Sequence, residues 1–474
     1  MKKGEILEFY IESYAFEGKG IAKVSKDGNK EKPFVVFVHG AYPGEKVKAR
    51  LTKVKKSFAE ANTEEILISS PERVEPECKF FGTCGGCKQQ DLDYSAQIKY
   101  KQAQVEDIFK RLGGFDNYIT EPILPSERIF FYRNKMEFSF AGKRWLTKEE
   151  INSNEEIDSY FALGLHIPKM FNKVLDIDEC FLQSPESNKI VNVTRDFFKS
   201  RKITIYSTKT HSGYLRNLVI KQSHHTDDLM VNLVTSENNE RLFTEYANLL
   251  ISEIPSITTV INNINTKKAQ VAIGEYEKVY YGNGFIYDKI GKYKFRISAN
   301  SFFQTNTLQA ANLYNVAVNF AQFSPNDIVY DLYSGAGTIA IYISKFVKEV
   351  FGFESVESAI ADAKTNAGLN GVENFKPYLS DLNKSLSPMV EKNKIPKPAI
   401  IIADPPRSGM NPKTVKDILR LSPEKIVYVS CNPATQVRDI KLLGEGGYKL
   451  QKIKPVDMFP HTFHIENVAL LVKI

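Results

Sequence analysis

The stretch Ile328-Val-Tyr-Asp331-Leu-Tyr-Ser-Gly335-Ala-Gly337-Thr-Ile-Ala340 decides the fold of the C-terminal part of this 474-residue chain. Its first five residues are largely apolar and predict a buried strand. Two glycines then allow the backbone to turn tightly and to approach a ligand closely, and the residues after them open a helix. A strand, a glycine-rich loop and a helix in this order are typical of a nucleotide-binding α/β sheet.

Further apolar segments after about residue 291 alternate with helix-like segments. This alternation predicts βαβ units and a mostly parallel, doubly wound α/β sheet. The strand candidates are Ile328–Leu332, Val350–Phe353, Ala399–Ala403, Ile426–Ser430 and Val468–Val472.

The N-terminal part has a different pattern, with short strands separated by turn signals such as Lys26-Asp-Gly-Asn-Lys30. Five short strands predict a small OB-type β-barrel in residues 1–68. Residues 69–290 read as a central α+β domain, with a helix from Tyr94 to Arg111, and residues 291–474 form the doubly wound domain. The five predicted strands are Glu5–Ile11, Gly20–Ser25, Pro33–Val38, Glu45–Val54 and Ala59–Leu67.

The overall composition is that of a globular protein, with 42% hydrophobic and 25% charged residues. No run of about 18 apolar residues occurs, so we expect no transmembrane helix. The N-terminus lacks the apolar stretch of a signal peptide. We therefore expect a cytoplasmic protein, monomeric and without a membrane partner.

Basic residues are concentrated between Lys46 and Lys56, within a chain of net charge +7. Lys46, Lys48 and Arg50 alternate with apolar residues, so a strand here would have one basic face. Such a face is typical of phosphate binding and indicates a nucleic-acid partner. The alternative is an edge strand whose lysines only prevent aggregation.

Two carboxylates flank the glycine loop. The loop alone fits both a dinucleotide and S-adenosylmethionine, because Gly335-Ala-Gly337-Thr-Ile-Ala340 satisfies the dinucleotide pattern. Asp331, just before the loop, would favour a methionine ammonium and disfavour a pyrophosphate. Glu354, at the end of the next strand, is placed to accept hydrogen bonds from ribose hydroxyls. A tight turn without any ligand is the alternative.

Two further polar residues follow strands of the same predicted sheet. Asp404 ends an apolar strand in Ile401-Ile-Ala-Asp404-Pro-Pro-Arg407, at the edge where α/β sheets bind ligands. Cys431 ends another strand, and Pro433 would begin a helix there. A helix N-terminus lowers the pKa of a thiol and makes it a candidate nucleophile, whereas inert packing is the alternative.

The segment His461-Thr-Phe-His464-Ile-Glu466 leads into the last apolar strand. A carboxylate entering an apolar strand is a candidate base with a raised pKa. Glu466 is therefore the predicted base, and His464 is the first alternative. A solvated strand end without a role in catalysis is also possible from the sequence.

An odd number of cysteines argues against a disulfide scaffold. Four of the five suit an iron–sulfur cluster or a tetrahedral zinc site: Cys78, Cys84, Cys87 and the distant Cys180. Structural zinc sites more often use two close pairs, so a 4Fe–4S cluster is preferred over zinc.

At these motifs the chain resembles the bacterial RNA uracil-5-methyltransferases with an N-terminal TRAM domain, which modify ribosomal or transfer RNA. The resemblance covers nearly the whole chain and implies that Cys78, Cys84, Cys87 and Cys180 hold the cluster. It implies that Cys431 is the nucleophile and Glu466 the base. The motifs that carry it are Gly18–Ala22, Tyr132–Lys135, Leu215–Leu218 and Ser301–Asn306, and the implied cofactor contacts are Gln304, Tyr333, Glu354 and Asp404.

The chemistry of the candidate residues agrees with this resemblance. A thiolate that adds to C6 of uracil makes C5 nucleophilic toward a sulfonium methyl, and a base must then remove the C5 proton. We expect the substrate to be a uridine of 23S rRNA, with transfer RNA as the alternative. The target base must leave its stack to be reached.

Three other protein classes share part of the pattern. Cytosine-5-methyltransferases usually carry a Pro-Cys nucleophile motif, which is missing from Asp404-Pro-Pro-Arg407. Radical S-adenosylmethionine enzymes normally bind their cluster through C-x3-C-x2-C, and the spacing here is C-x5-C-x2-C. A non-enzymatic RNA-binding protein with a vestigial methyltransferase domain would leave Asp404, Cys431 and Glu466 unexplained.

Overall fold

The computed structural model describes residues 1–24, 33–153, 157–168, 170–269 and 271–474. The predicted turn at residues 26–30 lies outside the described residues. Within these ranges, no helix combines the length and the apolar character that a membrane span requires.

The N-terminal strands form one mixed sheet of order β1-β5-β6-β4-β3-β2, in which, among the described strands, only β4 and β6 pair in parallel. The strands at its two edges, β1 and β2, are separated by only Ile11 and Glu12. The Ile11 amide donates to the Glu45 carbonyl beside β5, and the Glu12 amide donates to the Ile21 carbonyl on β3. One bent segment therefore joins both edges and closes the sheet, as in an OB-type barrel. The strands are β1 Ile6–Tyr10, β2 Ser13–Ala15, β3 Lys19–Val24, β4 Phe34–His39, β5 Lys46–Val54 and β6 Phe58–Ile68.

The basic face of β5 is neutralised by glutamates. Lys46 pairs with Glu8 at 2.7 Å and Lys48 with Glu65 at 2.8 Å, and β5 lies between β1 and β6 instead of at an edge. Neighbouring strands thus place carboxylates opposite these cations, and a role of this face in phosphate binding stays a prediction. The edge-strand alternative is wrong, because β5 has a partner strand on each side.

The middle of the chain forms a second sheet, of order β15-β14-β13-β12-β8-β10-β11-β9, packed on two helices. The predicted helix begins at Tyr94 and continues as a π-helical turn, Phe109–Gly113, that ends at Gly114 with φ +66°. The elements are α1 Tyr94–Ile108, β7 Ile119–Thr120, β8 Lys135–Ala141, β9 Arg144–Trp145, α2 Lys148–Asn152, β10 Ala162–Ile167, β11 Met170–Asp176, α3 Pro185–Ser200, β12 Leu215–Gln222, β13 Leu229–Thr235, α4 Glu240–Glu253, β14 Thr259–Ile264 and β15 Tyr276–Tyr281.

The C-terminal part is a doubly wound sheet of order β20-β19-β18-β21-β22-β24-β23-β7, preceded by the hairpin β16–β17. Strands β18 to β22 are parallel, and β24 lies antiparallel between β22 and β23. The elements are β16 Phe285–Ile290, β17 Tyr293–Ser298, α5 Thr307–Ala321, β18 Ile328–Leu332, α6 Thr338–Ile343, a short 3-10 turn Ser344–Phe346, β19 Glu349–Glu354, α7 Glu357–Leu369, β20 Phe375–Leu379, α8 Ser387–Lys392, β21 Ile400–Ala403, α9 Pro412–Leu421, β22 Lys425–Ser430, α10 Pro433–Glu445, β23 Tyr448–Val456 and β24 Glu466–Lys473.

A segment of the predicted central domain belongs to the core of the C-terminal sheet. Strand β7 pairs with β23, and Val105, Ile108 and Phe109 are buried in the same apolar core as Ile440 on α10. The C-terminal end of helix α1 thus packs in the core of the C-terminal sheet. The division into 1–68, 69–290 and 291–474 stays a prediction.

Candidate active site

The predicted site residues meet at one edge of the C-terminal sheet. Strands β19, β18, β21 and β22 are neighbours, and their carboxyl ends carry Glu354, Asp331, Asp404 and Cys431. Because β24 runs antiparallel to β22, its first residue, Glu466, lies at the same edge; Asn467 pairs with Ser430. Carboxyl ends of parallel strands are where such sheets bind ligands.

The glycine loop is shaped by positive φ angles and close packing. Gly337 has φ +79°, and a Cβ on it would lie 2.7 Å from the Phe375 ring, so only glycine fits there. The Gly335 amide donates to Oε2 of Glu354 at 3.1 Å. The other Glu354 oxygen accepts from the Val356 amide at 2.9 Å. The carboxylate of Glu354 is therefore held in a defined position beside the loop.

The carboxyls of Asp331 and Asp404 lie close together, and within the described ranges neither forms an ion pair. Burial raises the pKa of Asp331 well above its usual value, and the carboxylates of Asp404 and Glu354 add to this. Burial also raises the pKa of Asp404 to about 7. One Asp331 oxygen accepts from the Ala340 amide at 3.1 Å, while the other is buried without a partner. This donor set fits a cationic ligand such as a methionine ammonium or a sulfonium.

The remaining predicted cofactor contacts border the same loop. Tyr333 has φ +65°, and its amide donates to the Phe353 carbonyl at 3.0 Å. The Gln304 side chain hydrogen-bonds the hydroxyl of Tyr314, which also contacts the Thr338 hydroxyl at 2.8 Å on the first turn of α6. Tyr333 thus borders the glycine loop directly, and Gln304 is connected to it through Tyr314.

The environment of Cys431 differs from the sequence prediction of a lowered pKa. Burial, with a further contribution from the carboxyls of Glu466 and Asp404, raises the pKa of Cys431 to about 11, and the nearby Arg407 guanidinium opposes this rise. Helix α10 begins two residues later, at Pro433, and its cap is the Asn432 side chain. Burial and neighbouring carboxyls therefore outweigh the helix dipole.

Arg407 is a site residue that the sequence reasoning missed. Its Nη2 lies 3.0 Å from Nδ1 of His464, and its carbonyl accepts from Asn432 and Thr435, each at 3.2 Å. The signal was present in the sequence, because Asp-Pro-Pro-Arg places a cation three residues after the strand-end carboxylate.

The pKa values of Glu466 and His464 are shifted in opposite directions. Burial raises the pKa of Glu466 well above its usual value, Asp404 adds to the rise, and Arg407 opposes it. Burial lowers the pKa of His464 to about 3, and Arg407 adds to this effect. The raised pKa of Glu466 agrees with the sequence prediction for a base. His464 is neutral near pH 7, and its ring nitrogens face a guanidinium.

The loop that leads to Glu466 is held by distant parts of the chain. Lys101 of α1 and Asp457 form a fully buried ion pair at 2.7 Å, and the Tyr132 hydroxyl donates to the Pro460 carbonyl at 3.1 Å. The amides of Lys88 and Gln89 donate to the His461 carbonyl at 2.8 and 3.0 Å. These bonds join the three-cysteine segment directly to the loop that carries His464.

The four predicted cluster ligands line one cavity of about 370 Å³, together with Arg133 and His464. Burial raises the pKa of each of the four thiols, and for Cys87 the neighbouring thiols raise it further. Among the described residues, no three His, Cys, Asp or Glu side chains are gathered tightly enough for a single metal ion. The four thiols are Cys78, Cys84, Cys87 and Cys180.

The doubly wound sheet, its glycine loop and its unneutralised carboxyls define an S-adenosylmethionine-dependent methyltransferase. The chain belongs to the tRNA (uracil-5-)-methyltransferase family, whose model matches residues 223–474. A TRAM domain model matches residues 1–63, in the barrel. The enzyme class is thus an S-adenosylmethionine-dependent RNA (uracil-5-)-methyltransferase.

Two relatives and one solved structure are similar to this chain over nearly its full length. An uncharacterised RNA methyltransferase of Chlorobaculum tepidum is 43% identical over 99% of this chain and 96% of the relative. One of Bacteroides thetaiotaomicron is 42% identical over 96% and 99%. The Pyrococcus abyssi tRNA (uracil-54, C5)-methyltransferase, solved with S-adenosyl-L-homocysteine, is 30% identical with a TM-score of 0.74, covering 98% of this chain and 100% of that one.

Proposed function

We propose that this enzyme methylates C5 of a specific RNA uridine through a covalent bond between Cys431 and C6, with Glu466 as the base. The observation that carries the proposal is the grouping of a thiol, a high-pKa carboxyl and a guanidinium at the ligand edge of the sheet. Glu466 and Arg407 both lie close enough to Cys431 to change its pKa.

Cys431, Arg407 and Glu466 act in successive steps of the reaction. Cys431 gives its proton to solvent, Arg407 stabilises the thiolate, and the thiolate adds to C6, which makes C5 nucleophilic. S-adenosylmethionine supplies the methyl group that C5 takes. Glu466 then accepts the C5 proton, and the Cys431 thiolate leaves by elimination. His464, which contacts Arg407, orients the guanidinium.

The cofactor contacts in this proposal are Gln304, Asp331, Tyr333, Glu354 and Asp404. The buried Asp331 oxygen without a partner supports a cationic ligand in the pocket, because leaving a charged group unpaired is costly. The rigidly held Glu354 carboxylate suits the ribose hydroxyls.

We predict that Glu354→Ala and Asp404→Ala each weaken S-adenosylmethionine binding by about 1.5–3 kcal/mol, because a donor on the ligand loses a charged acceptor. Since burial raises the pKa of Asp404 to about 7, the carboxylate is protonated as pH falls below that value. Wild-type affinity should therefore decrease below about pH 7, and Asp404→Asn should remove this dependence. Calorimetry measures the affinities of the variants and their pH dependence. Wild-type affinity in Glu354→Ala and in Asp404→Ala would contradict the assignment of these two residues as cofactor contacts.

For the four-cysteine cavity we propose a 4Fe–4S cluster, with zinc as the less favoured alternative. The support is that four thiols line one cavity, and a four-iron cluster is held by four thiolates. When bound, the cluster would neutralise these thiolates. The Lys88 and Gln89 amides would then hold the His461 loop from an ordered segment.

We predict that anaerobically purified protein is brown and contains about four irons per chain. Elemental analysis and visible absorbance measure this. A Cys180→Ser variant should lose iron, whereas Cys431→Ser, whose thiol lies outside the cavity, should keep it. Stoichiometric zinc without iron in the wild type would contradict the prediction.

For the RNA class we propose 23S rRNA. Transfer RNA is the second candidate, because the Pyrococcus abyssi relative acts on a tRNA uridine. Mass-spectrometric mapping of 5-methyluridine in both RNA classes, from wild-type and deletion strains, decides between them. Loss of 5-methyluridine from neither class would contradict the proposed function. The expectation of a cytoplasmic monomer stays a prediction.

A further inference from the structure

The hairpin β16–β17 carries a second candidate RNA contact surface. Its inward residues alternate strictly with outward ones and are buried in the C-terminal core. Cross-strand pairs place aromatic and basic side chains opposite each other, with Tyr287 opposite Arg296 and Lys289 opposite Lys294. We call the outward side the hairpin face; it consists of Phe285, Tyr287, Lys289, Lys294, Arg296 and Ser298.

The cations of the hairpin face pack on aromatic rings. Nζ of Lys294 lies 3.8 Å from the Tyr287 ring centre, and the Arg296 guanidinium lies 4.2 Å from the Phe285 ring centre. The two rings contact each other edge to face at 5.3 Å. The result is an alternation of rings and positive charges along one surface, as in sites for single-stranded nucleic acid.

The lysines of this surface are free to neutralise phosphates. In the part of the chain that the structure describes, Lys292 and Lys294 pack over the rings of Tyr293 and Tyr287, and no carboxylate pairs with them or with Lys289. The carboxylate of Asp362 lies near Arg296. The basic strand β5 is the opposite case, because Lys46 and Lys48 are both paired with glutamates. A phosphate would have to displace a carboxylate on β5 but not on the hairpin face.

The hairpin face continues along the chain into the candidate active site. Ser298 ends β17, and the Phe302 side chain, four residues later, is 71% exposed although it is large and apolar. Its neighbour Phe303 is buried against Phe295 of β17, and Gln304 follows at the glycine loop. Four residues span at most about 14 Å, so the exposed ring lies near both surfaces.

We propose that the hairpin face binds the single-stranded RNA that flanks the target uridine. One base stacks on the exposed Phe302 ring and another on the open side of the Phe285–Tyr287 pair, and Lys289 and Lys294 contact phosphates. The interleaved rings and cations select a polyanion with flat bases, because stacking and charge neutralisation act on the same strand. This inference rests on the proposed function, since it places the strand next to the reacting base.

The test is the salt dependence of RNA binding by the full-length protein. Each phosphate contact to a single strand contributes about 0.7 to the slope of log K against log salt concentration. Lys289→Gln/Lys294→Gln should therefore reduce the slope by about 1.4. The matched control, Lys46→Gln/Lys48→Gln, removes the same charge from β5 and should leave the slope unchanged. The probes are ribosomal and transfer RNA, each purified from the deletion strain.

A third variant tests stacking. Tyr287→Leu should weaken binding at least about fivefold without changing the slope, because a stacked base loses its ring but no charge is removed. All variants should melt at the wild-type temperature and bind S-adenosylmethionine with wild-type affinity.

The results separate the inference from the proposed function. An unchanged slope in the hairpin double variant, or a reduced slope only in the β5 control, overturns the inference even if the wild type methylates RNA. A wild type that methylates neither RNA pool contradicts the proposed function, and the slopes still decide whether RNA lies on the hairpin face.

Discussion

Glu466→Gln is expected to accumulate a covalent protein–RNA species that carries the transferred methyl group. Addition of Cys431 to C6 and methyl transfer to C5 do not need the carboxylate as a base. Elimination does, because the thiolate leaves only when the C5 proton is removed. A band of retarded mobility should appear on a denaturing gel, labelled from S-adenosylmethionine with a radioactive methyl group, and only when that cofactor is present.

The matched control for this variant is His464→Gln, which changes a neighbouring residue that contacts Arg407. If His464 only orients the guanidinium, its loss should slow adduct formation and should not trap the methylated adduct. Wild-type turnover by Glu466→Gln together with a trapped adduct in His464→Gln would make the histidine the base. The lowered pKa of His464, about 3, already opposes that role.

Cys431→Ala is expected to bind RNA and S-adenosylmethionine but to transfer no methyl group above background. C5 of uracil is a weak nucleophile until a thiolate has added to C6, so the chemical step loses its first bond. Filter binding measures RNA affinity, and transfer of labelled methyl measures activity. No crosslinked band should form under any condition.

Cys431→Ser serves as the control for fold and packing. It keeps the size and a polar atom beside Arg407, and a hydroxyl is a far weaker nucleophile here, so it should bind both ligands and remain inactive. Turnover by the alanine variant would remove the nucleophile assignment. Loss of S-adenosylmethionine binding in both variants would indicate instead that the thiol shapes the cofactor pocket.

Local sequence was sufficient to predict the strands whose ends carry the site residues. The predicted bounds of the strand Ile328–Leu332 match the observed ones. The predicted bounds of the strands that precede Asp404 and Cys431 agree with the observed ones to within one residue. Such strands are buried on both faces, so they read as continuous apolar runs that end at polar residues. Because parallel strands share one carboxyl edge, the sequence order of these ends already implied their proximity.

Only the tertiary structure decided the charges around these groups. The pKa of Cys431 is raised instead of lowered, because folding buries the thiol and brings Glu466 and Asp404 near it from other strands. The basic face of β5 is neutralised by carboxylates such as Glu65 of β6. The electrostatic environment of a side chain depends on neighbours within a few ångströms in space, and sequence periodicity does not report them.

The same limit applies to the loop before Glu466. Its position depends on Lys101, which lies 356 residues before its buried partner Asp457, and on the amides of Lys88 and Gln89. By itself, the sequence determined the doubly wound sheet, the glycine loop and the residue types at its edge, because these follow from local apolar patterns and backbone sterics. The pKa shifts of those residues, the position of Arg407 beside His464 and the support of the loop before Glu466 depend on long-range contacts that exist only in the folded chain.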